Sequence, residues 1–445
     1  MPFKKFAFKS LDEVKAAFAA EGSGVCFSED LSVLRETYDL CGRTLPNRLA
    51  YHPMEGADGE RDGSPSVHTR RRYERFARGG AGLIWFEAVA VMEEGRANPL
   101  QLWIHPENVQ AFKKLNEDIR AIARETFGEG HRPLIVAQLT HSGRFSRPYA
   151  VSQHAPIISY HNPYLNQKLN IPEEHPVLTD EHIDSIRDAI ITAAGLALEA
   201  GFDGVDIKCC HRYITSELCS AFDREGRYGG SFENRTRLVR EWVAEVKKKY
   251  GDRLIVGSRL NVYDGIPFPF GFGTDRNDFT KYDFDEPIRL IGDLCDAGLD
   301  ILNITMGTPY YNSHVNRPFD TGLYTPAESQ ITGVSRMICG IGEIARTFPK
   351  LPIVGTGYSW LREYGANAAA GSILNGMATI AGFGRQSFAY PDFARDICEN
   401  GGMDPKKVCI ACGKCSDIMR LGNYTGCVVR DGAQFIPMYK KYVAK

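Results

Sequence analysis

The sequence has no excess of charge of either sign, no long apolar run and no apolar leader at its N-terminus. Its 445 residues carry 53 basic and 55 acidic side chains, a formal net charge of -2. The missing basic surplus argues against a protein that binds nucleic acid or an anionic membrane surface. No apolar run reaches the roughly 18 residues that a membrane-spanning helix requires, and charged residues interrupt the stretch from Met1 to Glu13. We therefore expect a cytoplasmic protein.

Twelve cysteines are present, but without a secretion signal they do not indicate a disulfide framework. Eight are scattered and four are crowded near the C-terminus: Cys409, Cys412, Cys415 and Cys427. Structural zinc usually takes its ligands as two separated pairs. Three thiolates within seven residues, with a fourth arriving from a distance, are more typical of an iron–sulfur cluster. The spacing therefore favours a 4Fe-4S cluster, with zinc or unliganded thiols as alternatives.

Short apolar or β-branched runs alternate with longer amphipathic segments over about 350 residues. Eight runs are predicted as strands, at 48–53, 82–88, 133–139, 204–208, 254–260, 300–304, 351–355 and 377–382. Seven segments are predicted as helices, at 67–78, 107–125, 179–200, 232–249, 286–297, 328–347 and 360–370. Repeated alternation predicts an α/β protein with a parallel sheet, and eight units predict closure into a (β/α)8 TIM barrel. The alternative is an open doubly wound sheet, but no Gly-x-Gly-x-x-Gly follows the first strand.

The predicted organisation has three parts. Residues 1–35 form an N-terminal extension, 36–395 the barrel, and 396–445 a short C-terminal segment that binds the iron–sulfur cluster. Two long loops, 144–177 and 263–282, follow the third and fifth strands, at the end of a barrel where sites are built. A plain surface insertion is the alternative for either loop.

Five segments, together with the cysteine cluster, carry a resemblance to a known family over roughly residues 40–430. They are Pro46-Asn-Arg with His52-Pro-Met, Tyr73-Glu-Arg-Phe-Ala-Arg-Gly-Gly-Ala-Gly-Leu-Ile, Gln138-Leu-Thr-His-Ser-Gly-Arg144, Ala200-Gly-Phe-Asp-Gly-Val-Asp-Ile and Arg227-Tyr-Gly-Gly-Ser-Phe-Glu-Asn-Arg235. The chain resembles the Old Yellow Enzyme family, and within it the iron–sulfur branch that holds bacterial dienoyl-CoA reductases and trimethylamine dehydrogenase.

The resemblance implies FMN across the mouth of the barrel. Gln138 offers a carboxamide to the pyrimidine edge of the ring, and Arg259 places a cation where negative charge grows on reduction. Arg385 is suited to bind the phosphate as a bidentate donor. Each residue alone has a structural alternative, but together, in chain order, they indicate FMN. The implied cofactor-binding residues are Pro53, Met54, Glu55, Ala88, Gln138, Arg259, Gly357, Gly384 and Arg385.

The fourth strand leads into Lys208-Cys-Cys-His211-Arg-Tyr213. Many family members have His-x-x-His-x-Tyr or His-x-x-Asn-x-Tyr here, with the first two positions on the substrate carbonyl and the Tyr as proton donor. The resemblance thus implies His211, Lys208 and Tyr213 as catalytic residues. Lys208 departs from the pattern, because an ammonium group cannot reproduce the geometry of an imidazole. A salt bridge from Lys208 to Asp206 or to another carboxylate at the mouth is the alternative.

Three further residues are candidates for substrate contact. Arg212 stands where many relatives have a small Gly, and its guanidinium hints at an anionic substrate; a solvated side chain is the alternative. Arg144 follows the third strand and His314 follows the sixth, so both are expected near the mouth.

The implied function is that of an ene-reductase. Hydride passes from FMN to the β-carbon of an α,β-unsaturated carbonyl compound, Tyr213 protonates the α-carbon, and the cluster relays electrons. The alternatives are an amine dehydrogenase or demethylase of the trimethylamine dehydrogenase type, an aldolase that uses Lys208 as a Schiff-base amine, and a flavin and iron–sulfur electron carrier. Glu55 stands where trimethylamine dehydrogenase has its flavin-tethering cysteine, which argues against covalent flavin.

The source of the electrons is a separate question. Relatives such as the dienoyl-CoA reductases continue beyond the cluster into a module that holds FAD and NADPH, whereas only eighteen residues follow Cys427 here. We therefore expect a separate protein, such as a ferredoxin, a flavoprotein or a reductase subunit, to feed the cluster. The alternative is direct reduction of FMN by NAD(P)H, with the cluster as a structural clasp.

Overall fold

Eight parallel strands form a closed barrel in the computed structural model, which describes residues 5–322 and 324–443. The last barrel strand pairs with the first, which confirms the (β/α)8 barrel and excludes the open sheet. A two-stranded antiparallel hairpin precedes the barrel. The hairpin strands are β1 (Tyr38–Leu40) and β2 (Arg43–Leu45); the barrel strands are β3 (Leu49–Tyr51), β4 (Leu83–Ala90), β5 (Leu134–Thr140), β6 (Gly204–Ile207), β7 (Ile255–Asn261), β8 (Ile301–Thr305), β9 (Ile353–Gly355) and β10 (Ile380–Phe383).

The barrel strands are buried on both faces, because their side chains point alternately into the barrel and toward the surrounding helices. Inside, residues near the strand starts, such as Leu83 and Ile255, form one apolar cluster with Leu40 and Leu45 of the hairpin. The hairpin therefore covers the N-terminal end of the barrel. The opposite end is left for a site.

Helices surround the barrel, and each of the seven predicted helical segments contains a helix. None of those in the described ranges is long and apolar enough to cross a lipid bilayer. The α-helices are α1 (Leu11–Ala20), α2 (Val67–Gly79), α3 (Val109–Phe127), α4 (Pro163–Leu169), α5 (Asp180–Glu199), α6 (Ile214–Leu218), α7 (Phe232–Arg235), α8 (Arg237–Tyr250), α9 (Asp285–Asp296), α10 (Ser313–Asn316), α11 (Gln330–Thr347), α12 (Gly365–Leu374), α13 (Arg385–Ala389), α14 (Phe393–Asn400), α15 (Lys414–Arg420) and α16 (Gly432–Tyr442).

Two predicted helices differ in detail, and eight α-helices of the described ranges were not predicted: α1, α4, α6, α10, α13, α14, α15 and α16. The segment 232–249 is divided at Thr236 into α7 and α8, and the segment 360–370 begins as a 3₁₀ helix (Tyr358–Tyr364) before α12. Among the unpredicted helices, α1 lies in the predicted N-terminal extension. The Ser10 side chain accepts a hydrogen bond from the Glu13 N–H at its start, and Val14 and Phe18, four residues apart, are buried.

Residues on both sides of each predicted domain boundary share one buried core. Val14 and Phe18 of α1 belong to it, as do Met403 and Val408 of the C-terminal segment. The boundaries at 35/36 and 395/396 stay predictions.

The C-terminal segment packs against the barrel at the loop after β3. The Thr425 N–H donates to the Gly56 carbonyl at 2.6 Å. Asp431 accepts from Arg71 at 2.8 Å and from Arg75 at 2.6 Å, both on α2. Backbone and charge contacts together therefore hold this segment beside the end of the barrel where the strands terminate.

Candidate active site

The barrel strands end at a cavity of about 960 Å³, here called the mouth cavity. Loops that follow the strands form its walls, together with Met419 of α15. Ala88 is buried on β4 beside Gln138 and does not line the cavity. All other predicted cofactor and catalytic residues do: Pro53, Met54, Glu55, Gln138, Lys208, His211, Tyr213, Arg259, Gly357, Gly384 and Arg385.

The Tyr213 hydroxyl belongs to a cluster of four polar side chains. It lies 2.9 Å from the Tyr310 hydroxyl and donates to Glu55 Oε1 at 3.4 Å. The same Glu55 oxygen accepts from Lys208 Nζ at 3.2 Å, and that nitrogen lies 4.0 Å from the centre of the Tyr213 ring. Burial, the Glu55 charge and Tyr310 hold the pKa of Tyr213 well above its ordinary value. Tyr213 is therefore protonated at neutral pH and has a proton to donate.

Lys208 pairs with a mouth carboxylate, and that carboxylate is Glu55 and not Asp206. Because an ammonium group carries three donors, the contact with Glu55 leaves Lys208 able to bind a second acceptor. Glu55, expected beside the flavin, thus also joins Lys208 to Tyr213.

Asp206 is buried beneath the cavity and fixes its floor. It accepts hydrogen bonds from Trp85 Nε1 at 2.7 Å, from Gln138 Nε2 at 2.6 Å and from the Arg259 backbone N–H at 2.6 Å. Burial raises the pKa of Asp206, while these donors oppose the rise. Since the Gln138 amide nitrogen is held by Asp206, its carbonyl oxygen is the group left to accept a bond from a ligand.

Three buried nitrogens of residues in the cavity wall have no hydrogen-bond partner in the described part of the chain: His52 Nε2, His211 Nε2 and Arg259 Nε. Burial, together with the charges of Arg259 and Lys208, holds the pKa of His211 well below its ordinary value, so the ring is neutral. Unpaired buried nitrogens call for a partner. These three nitrogens, the Gln138 carbonyl and the cations Arg259 and Arg385 form a set of hydrogen-bond donors and acceptors. This set fits the phosphate and the ring of a flavin.

The turn that carries His211 has an unusual backbone. His211 (φ 63°) and Arg212 (φ 61°) both lie in the left-handed region, which costs a residue with a Cβ about 1–2 kcal/mol. A glycine would adopt this region without that cost. The buried Arg212 side chain compensates, because it bonds Asp264 at 2.8 Å, Ser220 at 2.7 Å and the Tyr160 hydroxyl at 2.6 Å.

The three substrate-contact candidates are not brought to the mouth cavity. Arg212 points into the interior and anchors the strained turn, so it does not mark an anionic substrate. Arg144 is also fully buried and bonds Glu217 and the Tyr160 carbonyl. His314 is buried with its Nε2 3.7 Å from Glu328, away from the cavity. Position after a strand did not determine which way these side chains point.

A buried charge network holds the loop that carries Glu55. The Gly56 N–H donates to Glu87 Oε2 at 2.8 Å. Arg72 bonds the same Glu87 and makes a bidentate pair with Asp58 at 2.7 and 3.0 Å. A Cβ at position 56 would overlap the Arg72 guanidinium, so only glycine fits at this position while Arg72 keeps its place. The network therefore sets the position of Glu55.

The four clustered cysteines line one cavity of about 380 Å³, here called the cysteine cavity. Backbone N–H groups donate to two of the sulfurs, from Ala411 to Cys409 Sγ at 3.4 Å and from Arg430 to Cys427 Sγ at 3.3 Å. Burial raises the pKa of Cys409 to about 12, and the Arg385 cation opposes the rise.

No group of three or more His, Cys, Asp or Glu side chains within residues 5–322 and 324–443 could hold a metal ion. A four-iron cluster places each thiolate on a different iron, so its sulfurs lie farther apart than those around one ion. Four sulfurs lining one cavity, with amide donors and a neighbouring cation, fit such a cluster by their chemistry.

Several residues of the mouth cavity were not among the predicted site residues, and three of them have side chains of interest: Tyr310, Arg317 and Met419. The first two belong to the long connection between β8 and α11, which has no recognisable motif. Burial lowers the pKa of Arg317 to about 10, although Cys415 opposes the fall. Arg385 lines both cavities, so it lies between the expected flavin site and the cysteines.

Comparisons with known proteins identify the family and agree with the fold. Residues 38–286 match the NADH:flavin oxidoreductase / NADH oxidase family. The NADPH dehydrogenase of Halalkalibacterium halodurans is 31% identical over 226 residues, which is 50% of this chain and 62% of that protein. The NADPH dehydrogenase of Bacillus subtilis is 31% identical over 259 residues, 57% of this chain and 70% of that protein.

Among solved structures, a 2-naphthoyl-CoA reductase in complex with 2-naphthoyl-CoA superposes with a TM-score of 0.71 at 20% identity. The match covers 92% of this chain and 59% of that one, and at this identity the likeness concerns the fold. The chain thus spans less than two thirds of both the Halalkalibacterium dehydrogenase and the naphthoyl-CoA reductase.

Proposed function

Because this chain belongs to the NADH:flavin oxidoreductase / NADH oxidase family, that of Old Yellow Enzyme, we propose that it is an FMN-dependent ene-reductase. The family makes it a flavin oxidoreductase. The finer assignment, to reduction of a C=C bond beside a carbonyl group, rests on one observation. A protonated, buried Tyr213 hydroxyl lies in the mouth cavity beside a neutral His211 whose Nε2 has no partner in the described ranges.

We propose that Gly384 and Arg385 hold the FMN phosphate, and that Arg259, Gln138 and the Pro53–Glu55 loop contact the ring. Arg259 is well placed for this role, since Asp206 fixes its backbone while its Nε has no protein partner in the described ranges. Bound FMN supplies the hydride that reduces the alkene β-carbon.

The residues of the chain bind the carbonyl group and move the proton. His211 Nε2 and the Lys208 ammonium donate to the carbonyl oxygen, where negative charge develops in the transition state. The Tyr213 O–H bond breaks as its proton passes to the α-carbon. Tyr310, 2.9 Å away, and Glu55 orient this hydroxyl.

The test is Tyr213→Phe, with Tyr310→Phe as its matched control. Each change removes one hydroxyl of the same pair and keeps the ring. Flavin content should hold in both, while turnover of an α,β-unsaturated ketone should fall about 10²–10⁴-fold in Tyr213→Phe and much less in Tyr310→Phe. Equal losses in the two variants, or an unchanged rate in Tyr213→Phe when protonation limits turnover, would remove Tyr213 from this role.

We also propose that Cys409, Cys412, Cys415 and Cys427 bind a 4Fe-4S cluster. Their shared cavity, the amide donors to sulfur and the Arg385 cation support it. Iron and acid-labile sulfide should each amount to about four per chain. One zinc per chain without sulfide would contradict the assignment.

A separate electron-donor protein is proposed to reduce this cluster. Anaerobic mixing of the isolated chain with NADH and with NADPH tests it. We expect neither nucleotide to bleach the flavin quickly, whereas dithionite or a viologen dye should. Fast bleaching by NAD(P)H followed by efficient alkene turnover would show that no partner is needed.

A further inference from the structure

Asn303 is a polar residue inside the barrel whose side-chain amide has no partner. It lies on β8 and is fully buried, and neither its amide oxygen nor its amide nitrogen makes a hydrogen bond in the described part of the chain. A buried carboxamide without partners costs free energy, and a leucine of similar size would fill the same space without that cost. Packing alone therefore does not account for a carboxamide at this position.

The side chain of Asn303 points into the barrel, one layer below the mouth cavity. Side chains alternate along β8: Ile301 belongs to the apolar cluster inside the barrel, whereas Leu302 and Ile304 belong to the core shared with the helices. Asn303 therefore faces inward. Thr305, two residues further along the strand, lines the mouth cavity, and Asn303 does not. Asn303 is thus placed to act on a ligand through a neighbouring side chain.

That neighbour is Arg259 on the adjacent strand. Arg259 and Asn303 are register partners of the parallel pair β7 and β8, and neighbouring strands lie about 4.8 Å apart. Arg259 faces the same way, since Ile255, four residues earlier on β7, belongs to the cluster inside the barrel and Arg259 lines the mouth cavity. Its Nε is buried and has no partner in the described ranges. An unpaired donor and an unpaired acceptor thus occupy neighbouring positions of the barrel interior.

Few contacts hold the guanidinium of Arg259. Asp206 fixes the backbone N–H of this residue, but among the described residues the guanidinium makes one hydrogen bond, from Nη1 to the Pro53 carbonyl at 3.4 Å. The buried guanidinium groups of Arg72 and Arg212, by contrast, are held by carboxylates. Because a guanidinium is planar, its orientation decides which atoms it can bond. A second contact is needed to keep Arg259 in one orientation.

We propose that Asn303 is a positioning residue for Arg259: its amide oxygen accepts the Nε–H of Arg259 when FMN is bound, and this bond keeps the guanidinium at the edge of the flavin ring. The inference rests on the proposed function for the assignment of FMN, and of Arg259 to its ring. A cation at this place stabilises the negative charge of the reduced flavin more than the neutral oxidised form, so it raises the reduction potential. Asn303 then tunes that potential without touching the flavin.

Two other partners for the Asn303 amide are possible on chemical grounds. His211 is one, because its buried Nε2 also has no partner in the described ranges. Asn303 would then act on the group proposed to bind the substrate carbonyl. The other is a buried water that bonds the amide and leaves Arg259 alone. In neither case does the potential of the flavin depend on Asn303 through Arg259.

The experiment measures the midpoint potential of FMN bound to the full chain, by redox titration at one pH. Asn303→Leu keeps the side-chain volume and removes the amide. The affinity for reduced FMN relative to oxidised FMN should fall about tenfold, at the lower end of what a hydrogen bond to a charged group contributes. For a two-electron couple this lowers the potential by about 30 mV. Flavin content should hold, and the affinity for oxidised FMN should stay within about twofold.

The matched control is Ser258→Ala, which removes a polar group directly beside Arg259 in the chain. Ser258 faces away from the barrel interior, and its Oγ donates to the Ile207 carbonyl at 2.8 Å. The potential should be unchanged in this variant. If Asn303→Leu loses its flavin, then Asn303→Thr and Asn303→Val provide the test. These two are isosteric, and the Thr variant, which keeps an oxygen acceptor, should have the higher potential.

A double-mutant cycle shows whether Asn303 acts through Arg259. Arg259→Leu should lower the potential by itself, and the addition of Asn303→Leu should then lower it no further. Arg259→Lys keeps a charge but lacks the Nε–H of the guanidinium, so it serves as the background if the Leu variant does not hold FMN. The effect of Asn303→Leu should be lost in that background too.

A wild-type potential in Asn303→Leu, an equal shift in Ser258→Ala, equal potentials of the Thr and Val variants, or a full effect of Asn303→Leu in the Arg259 background would each overturn the inference. Failure of the proposed function is seen separately. If Arg259→Leu keeps the wild-type potential, the assignment of Arg259 to the flavin ring is wrong and the inference falls with it. If the potential depends on both residues as expected but the reduced flavin converts no unsaturated ketone, the role of Asn303 stands and the ene-reductase does not.

Discussion

Replacing Gly56 with Ala tests whether the buried network beside the site controls both stability and chemistry. The new Cβ would overlap Nη1, Cζ and Nη2 of Arg72, which is held by the buried carboxylates of Asp58 and Glu87. Arg72 must therefore leave at least one of these buried carboxylates. Breaking a buried ion pair while its partner stays enclosed costs about 3–5 kcal/mol.

For a chain of 445 residues, this loss corresponds to a fall in Tm of roughly 3–5 °C. Turnover should fall as well, because the Gly56 N–H is bonded to Glu87 and a shift of this loop moves Glu55 away from Lys208 and Tyr213. Tm is measured by calorimetry on flavin-loaded protein, and the rate with an unsaturated ketone.

The matched control is Gly292→Ala in α9, where nothing lies within 4 Å of the added Cβ. Removing a glycine from a helix interior stabilises it by up to about 1 kcal/mol, so Tm should stay the same or rise slightly. A Gly56→Ala variant with the Tm and the rate of wild type would refute the reasoning, since Arg72 would then have moved without cost.

Three further outcomes are expected. Arg212→Ala leaves Asp264 buried without its cation and should lower the free energy of unfolding by about 3–5 kcal/mol in urea titrations; a wild-type midpoint would contradict this. Cys412→Ser should reduce iron and sulfide content, whereas Cys398→Ser, outside the cysteine cavity, should not; full iron in the first variant would exclude Cys412 as a ligand. Arg385→Gln should lower FMN and iron content together because Arg385 lines both cavities, and loss of neither would refute its double role.

The barrel could be predicted because its strands are buried on both faces and therefore stand out as short apolar runs between amphipathic helices. Gln138 and Arg259 stand near the ends of predicted strands. They could be placed at the mouth because a barrel brings the ends of its strands together. Their assignment to FMN remains a prediction.

Side chains on irregular loops could not be placed in this way. Arg212 was expected to face substrate, but a left-handed backbone at φ 61° turns it inward to Asp264, and no sequence pattern reports that angle. Tyr310 and Arg317 belong to a long connection whose path depends on tertiary packing. They reach the mouth only because that connection folds back over the strand ends.

The contact of the C-terminal segment with the mouth limits how this protein can be engineered. Met419 forms part of the cavity wall, and Thr425 is bonded to the carbonyl of Gly56, beside Glu55. Deleting the C-terminal segment to obtain a minimal barrel would open one wall of the mouth cavity. It would also release the loop after β3 that positions Glu55. A variant without the proposed cluster should therefore be made by substituting cysteines within the intact chain and not by truncation.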